Sequence, residues 1–141
     1  MATVELRFSA LPEHVRTARL VAAAVARRAG VDEAVLDEVR LAVGEACTRA
    51  VGLHQAADIP APVRVALVEE EKQFSIEVGD EAPRSAPGER APGALPGSGE
   101  DLEAEGEDEM GLAVISGLVD DVEVTAGENG GSIRMTWPTT A

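Results

Sequence analysis

From Thr3 to Phe8 the chain alternates Val4, Leu6 and Phe8 with Thr3, Glu5 and Arg7, the period of a half-buried strand. Pro12 and Glu13 then open a helix. Its apolar face is Val15, Ala18, Ala22, Val25 and Ala29, and Gly30 is placed to stop it. Asp32 is the expected N-cap of a second helix running to about Leu53, along which Leu36, Val39, Val43, Ala46, Ala50 and Leu53 form one stripe. The run Gln55 to Pro60 breaks it. Two strands follow, Val63 to Val68 and Phe74 to Val78, with Glu70 to Gln73 as the turn between them. Leu112 to Val119 predicts a short helix, and Val122 to Thr125 with Ser132 to Trp137 a closing hairpin across Gly127 to Gly131. The order is β-α-α-β-β-loop-α-β-β.

Composition changes this picture in two places. With 141 residues and 45% hydrophobic content the chain is expected to be a single domain, 1–141, with a real core. No stretch approaches the length of a membrane span and the opening residues alternate at once, so neither a span nor a signal peptide is expected, and the expected location is cytoplasmic. Between Ala82 and Glu109 lie four of the eight prolines and five of the fourteen glycines, which predicts a disordered loop rather than packed structure. Cys47 is the only cysteine and lies on the core side of its helix, where it reads as a small buried hydrophobe.

The net charge of -14 is unevenly placed. Residues 1–67 hold eight acids and eight bases, so the excess belongs to residues 68–141. An acidic surface argues against nucleic acid as a direct partner, since phosphate contacts need clustered Lys and Arg, and it suits a basic protein partner or simply solubility. The basic exception is the first helix, where Arg16, Arg19, Arg27 and Arg28 lie on or beside the polar face. Arg16 and Arg19 are candidate partner-binding residues, against the plain alternative of a solvated helix face.

The candidate chemistry is concentrated in Glu45-Ala46-Cys47-Thr48-Arg49, which puts a carboxylate and a guanidinium one helical turn apart, on the border of the apolar stripe. The plain alternative is an exposed ion pair contributing only ~0.3 to 0.5 kcal/mol. His14 and His54 show no metal-ligand spacing, and no metal site is expected.

The run Leu36 to Val51 closely resembles the N box of the anti-sigma-factor, histidine-kinase-like proteins, a branch of the GHKL ATPase superfamily, and the order of elements resembles that family over nearly the whole chain. The resemblance implies an α/β (α+β) two-layer sandwich: a mixed, mostly antiparallel sheet with helices on one face, and ATP held between helix and sheet under a lid. It implies Glu45 as the general base for attack on the γ-phosphate. Arg49 stands where the family has an asparagine that holds Mg²⁺, and a guanidinium has no lone pair to give a cation, so Mg²⁺ binding is expected to be weakened. Asp80, at the end of Phe74 to Val78, matches the aspartate that accepts a hydrogen bond from the adenine amino group. The motif's glycines are replaced by Ala82 and Arg84, with Pro83 between them. Gly111 and Leu112 match what is left of the phosphate-receiving Gly-rich motif. Directly before Met110, residues 100–109 carry seven acids and no base; the plain alternative is favourable capping at a helix start, and the sharper expectation is that the run shields the anion site and repels a triphosphate.

Three readings follow. The first is a partner-switching regulator of the anti-sigma type, binding an anti-sigma-factor antagonist, a sigma factor or both, with a degenerate ATP site. The alternative is an active ATP-dependent serine protein kinase of such an antagonist, with Glu45 as base. The third is a scaffold that only dimerises. Loss of a metal ligand strikes at charge neutralisation, the main source of rate in phosphoryl transfer, so impaired or absent kinase activity is favoured. The resemblance also implies a homodimer.

Overall fold

The computed structural model describes residues 2–83, 114–119 and 121–139. Its elements are β1 (Ala2–Phe8), α1 (Val15–Ala29), α2 (Leu36–Ala56), β2 (Val63–Glu70), β3 (Gln73–Asp80), β4 (Asp121–Gly127) and β5 (Gly130–Pro138). Residues 114–118 form a helical turn ahead of β4. The five strands and two long helices read from the pattern are therefore present, and of the short helix expected from Leu112 to Val119 the described residues 114–118 are helical. The loop from Arg84 onward, the acidic run, Gly111 and Leu112 lie outside them.

Local chemistry sets the boundaries. Gly30 takes φ 101, and the Val31 N–H reaches back to the Ala26 carbonyl at 3.0 Å, so the last turn of α1 closes on a left-handed residue that glycine adopts without strain. Asp32 does cap, but one step earlier than expected. Its Oδ1 accepts the Ala34 N–H at 2.9 Å and starts a 3-10 turn, Glu33–Val35, from which α2 continues at Leu36. α2 runs one turn past Leu53 before Asp58, at φ 52, turns the chain away.

The strands form one sheet in the order β1-β2-β3-β5-β4. Each of its pairings is antiparallel, so the sheet expected to be mixed and mostly antiparallel is antiparallel throughout the described strands. Alternation sends Val63, Val65 and Leu67 of β2, Phe74, Ile76 and Val78 of β3, and Ile133, Met135 and Trp137 of β5 to one buried face. Register aligns Val65 with Val78 and Val78 with Ile133, so the rows are continuous across strands. Both helices cover that face and leave the other to residues such as Arg64 and Glu77. The result is a two-layer α/β sandwich.

α1 buries Val15, Ala18, Ala22, Ala23 and Ala26, whereas Val25 and Ala29, expected on the apolar face, are only half-buried. Alanines at this spacing let α1 approach α2 closely, and they leave α2 buried over a wider arc than its stripe, including Ala42, Gly44, Cys47 and His54. The strand alternation that buries Phe74, Ile76 and Val78 has a further consequence. Two residues on, it carries the carboxylate of Asp80 to the helix side, where it is only 3% exposed.

Candidate functional site

Two places on α2 carry the candidate chemistry. Toward its middle, Leu41, Gly44, Glu45 and Thr48 recur at i, i+3, i+4 and i+7 and so face the same way. Across from them are Pro12, Glu13, Val15, Arg16 and Arg19 at the start of α1. Together they line a groove of about 510 Å³. Glu45 is half-buried on the groove wall, while Arg16, Arg19 and Leu41 are exposed. The candidate base and the two candidate partner-binding arginines therefore line one groove, although the sequence presented them as separate features. Gly44 makes this possible. A Cβ there would lie 2.8 Å from Arg19 Cδ, so the arginine stem rests on the glycine backbone.

The field of Arg19 also reaches the core. Burial pushes the Cys47 thiol from its ordinary 9.0 up to about 12, against the opposing pull of the Arg19 charge. A thiol so held is an inert hydrophobe, as the sequence suggested, not a nucleophile.

At the other end of α2, the turn after β3 is built around Asp80. Its Oδ1 accepts the Ala82 N–H at 3.0 Å, which fixes the carboxylate plane relative to its own backbone. The Glu81 N–H between them donates to Nε2 of His54 at 2.9 Å. His54 is fully buried, and its Nδ1 lies 2.9 Å from the Ala61 carbonyl. Because Nε2 accepts, the proton sits on Nδ1 and is donated to Ala61. Gly130 closes the turn from the β4–β5 hairpin: it takes φ 110, and a Cβ on it would stand 2.1 Å from the Asp80 carbonyl oxygen.

Of the residues expected to meet a nucleotide, Asp80 and Ala82 are thus brought into one small turn, with Ala82 itself buried. Arg49 is half-buried on α2 between the groove and His54. Gly111 and Leu112 fall outside the described residues. His54 is the residue that sequence reasoning misses. Its only signal is a histidine at the buried end of an apolar helix with no metal-ligand spacing, and its partner Glu81 is 27 residues away. Among the described residues no group of three or more His, Cys, Asp or Glu side chains could hold a metal ion. Nor is any described helix long and apolar enough to cross a membrane.

Comparison with known proteins agrees with this architecture. Residues 8–137 match the histidine kinase-like ATPase domain. The chain is 31% identical over 129 residues to the anti-sigma F factor of Clostridium acetobutylicum, covering 92% of this chain and 87% of that protein. It is 29% identical over 134 residues to the serine-protein kinase RsbW of Bacillus licheniformis, covering 94% and 83%. The fold matches the crystal structure of the RsbU and RsbW domains of Rv1364c from Mycobacterium tuberculosis with a TM-score of 0.69 at 17% identity, over 99% of this chain and 32% of that one. The chain thus spans about a third of that longer protein, and this last likeness is one of fold.

Proposed function

The chain belongs to the family of histidine kinase-like ATPase domains, and from that premise we propose that it is an anti-sigma-type regulator that works by partner switching. It captures an anti-sigma-factor antagonist, a sigma factor or both in turn, and keeps an adenine-nucleotide site that has lost its metal-holding end. The observation that carries this reading is the groove between α1 and α2, where Arg16 and Arg19 stand beside Glu45 and next to the exposed Leu41. Two arginines and two glutamates beside the exposed Leu41 suit a protein surface that brings both charged and aliphatic contacts. The relatives named an anti-sigma factor and a serine-protein kinase support the class of partner. The same reading places the protein in the cytoplasm and includes a homodimer, which sedimentation tests.

The nucleotide part rests on donor chemistry. At the adenine end Asp80 is buried and oriented by its own turn, which fits a single acceptor for an exocyclic amino group. At the phosphate end Arg49 can grip phosphate oxygens and cannot ligate Mg²⁺. The site residues therefore fit the nucleoside better than they fit the metal.

Calorimetry with a purified antagonist and a purified sigma factor from the same organism tests the docking surface. Arg19→Glu and Arg16→Glu should each weaken capture at least tenfold without changing the melting temperature. Unchanged affinity in both variants removes this groove from the interface. A kinase remains the second reading, because Glu45 opens onto the same groove in which a partner's serine would sit. Transfer of labelled γ-phosphate from ATP to the antagonist, abolished by Glu45→Gln, would establish it in place of simple capture.

A further inference from the structure

We propose that His54 is a positioning residue that ties the Asp80 turn to α2 and so sets the carboxylate that reads an adenine-type base; the ligand part of this rests on the nucleotide reading above. His54 makes two contacts with separable purposes. Its Nδ1–H donates to the Ala61 carbonyl at 2.9 Å, which closes the chain just past the end of α2. In the same region the Ile59 N–H reaches the His54 carbonyl at 2.8 Å. Its Nε2 accepts the Glu81 N–H at 2.9 Å, and this contact joins α2 to residues that follow β3.

The second contact matters for a ligand because of what flanks it. Glu81 sits between Asp80 and Ala82, which are themselves joined by the Asx bond from the Ala82 N–H to Asp80 Oδ1. Holding the Glu81 amide fixes the peptide plane on which that small ring is built. On the opposite side Gly130 abuts the Asp80 carbonyl so closely that no side chain fits. The Asp80 carboxylate is thereby oriented by a histidine from α2 and a glycine from the β4–β5 hairpin. A preset acceptor avoids the entropy of ordering it when a ligand binds. Glu45, Arg49 and His54 share one helix, so the His54–Glu81 contact also places the phosphate end and the base end of the site on one rigid element.

Neutral imidazole is the only form that makes both contacts, and only in the Nδ1–H tautomer. Two substitutions separate them. In His54→Asn the amide can reproduce the Nδ1 donor to Ala61 and leaves Glu81 without its acceptor. In His54→Gln the longer side chain can offer an oxygen to Glu81 and leaves Ala61 without its donor. AMP is the suitable probe, because it tests the base end without a triphosphate or a metal.

The expected result is AMP affinity in His54→Gln within about threefold of wild type, and at least tenfold weaker in His54→Asn, the two variants melting at similar temperatures. Equal losses in both, or none in His54→Asn, overturn the positioning role. Amide exchange at Glu81 supplies an independent readout: it should be at least tenfold faster in His54→Asn than in His54→Gln, and equal rates overturn the link. If wild type binds no AMP, the nucleotide reading falls, and the exchange rates alone then support or overturn the tie between α2 and the turn. Nitrogen NMR of the wild-type ring should show the Nδ1–H tautomer near neutral pH; the Nε2–H tautomer refutes the assignment.

Discussion

The stem of Arg19 rests on the backbone of Gly44, with the arginine Cδ 2.8 Å from where a Cβ on the glycine would be. Two opposing effects follow for Gly44→Ala. Alanine favours a helix interior over glycine by roughly 0.5–1 kcal/mol. The new methyl meets only a flexible side chain, which can rotate aside at little cost, so the fold should be as stable as wild type or slightly more so. The displaced guanidinium, however, shifts within the groove that Arg19 lines together with Glu45. Gly44→Ala should therefore hold or raise the melting temperature while weakening partner capture several-fold by calorimetry. Full capture with an unchanged melting curve would separate Arg19 from recognition.

Gly130 presents the opposite case, because what its Cβ would strike is backbone. Glu128 and Asn129 turn the β4–β5 hairpin without positive φ, and Gly130 takes φ 110 to bring the chain back onto β3. Alanine there is strained in φ and would stand 2.1 Å from the Asp80 carbonyl and 2.7 Å from Glu81 Cα. Gly130→Ala should destabilise the protein by about 2–4 kcal/mol, measured by urea unfolding, a size reached only by a few mechanisms such as strain at a special φ. A change below about 0.5 kcal/mol would mean that the hairpin moves away freely, and that Gly130 does not brace the Asp80 turn.

These two glycines also mark how far the sequence can be read. The elements are legible because period two and period 3.6 are local signals: Val4, Leu6 and Phe8 declare β1, and Leu36, Val39 and Val43 declare α2. The end of α1 is legible for the same reason, since Gly30 acts on its own helix. What Gly44, Gly130 and His54 do is set by partners 25, 50 and 27 residues away, and no local period carries that. A lone histidine invites weighing as a metal ligand, but the contacts of His54 are to backbone, which has no signature in side-chain spacing. Glu45, Arg16 and Arg19 are each visible, but the groove they share depends on how closely the alanine face of α1 approaches α2. The 3-10 turn after Asp32 shows the same limit on a smaller scale: the cap residue is legible, and the kind of helix it starts is not.

Cys47 gives a pH dependence with a definite sign. Its folded-state pKa, about 12, lies above the ordinary 9.0, because burial disfavours the thiolate. The stability this represents is fully present below pH 9 and is lost as pH rises toward 12, where the unfolded chain releases a proton that the folded chain keeps. A rise of that size corresponds to at most roughly 4 kcal/mol of stability. The window is unusually clean, since the chain has no tyrosine and Lys72 is its single lysine. Urea midpoints should fall across this range in wild type and fall much less in Cys47→Ala, which starts from a lower stability because of the cavity. Parallel pH profiles would show that the thiol is not the titrating group. In native protein near pH 8 the thiol should react with an aromatic disulfide no faster than the protein unfolds.

Arg49→Asn addresses the phosphate end of the site. Asparagine is the residue that the family resemblance puts at this position, and its amide oxygen can take one place in the octahedron that Mg²⁺ demands, whereas the guanidinium can only repel the ion. The substitution also removes a cation one helical turn from Glu45, so any gain reports the metal and not a new attraction for phosphate. Calorimetry with ATP should show wild-type binding that is indifferent to Mg²⁺ or weakened by it. Arg49→Asn should show binding at least tenfold tighter with Mg²⁺ than without. On the proposed phosphate-gripping role of Arg49, the variant should lose affinity for the metal-free nucleotide. Tighter binding of ATP with Mg²⁺ in wild type itself would overturn the proposed loss of the metal site, and would move the protein toward the serine-kinase reading, with Glu45 as the group to test next.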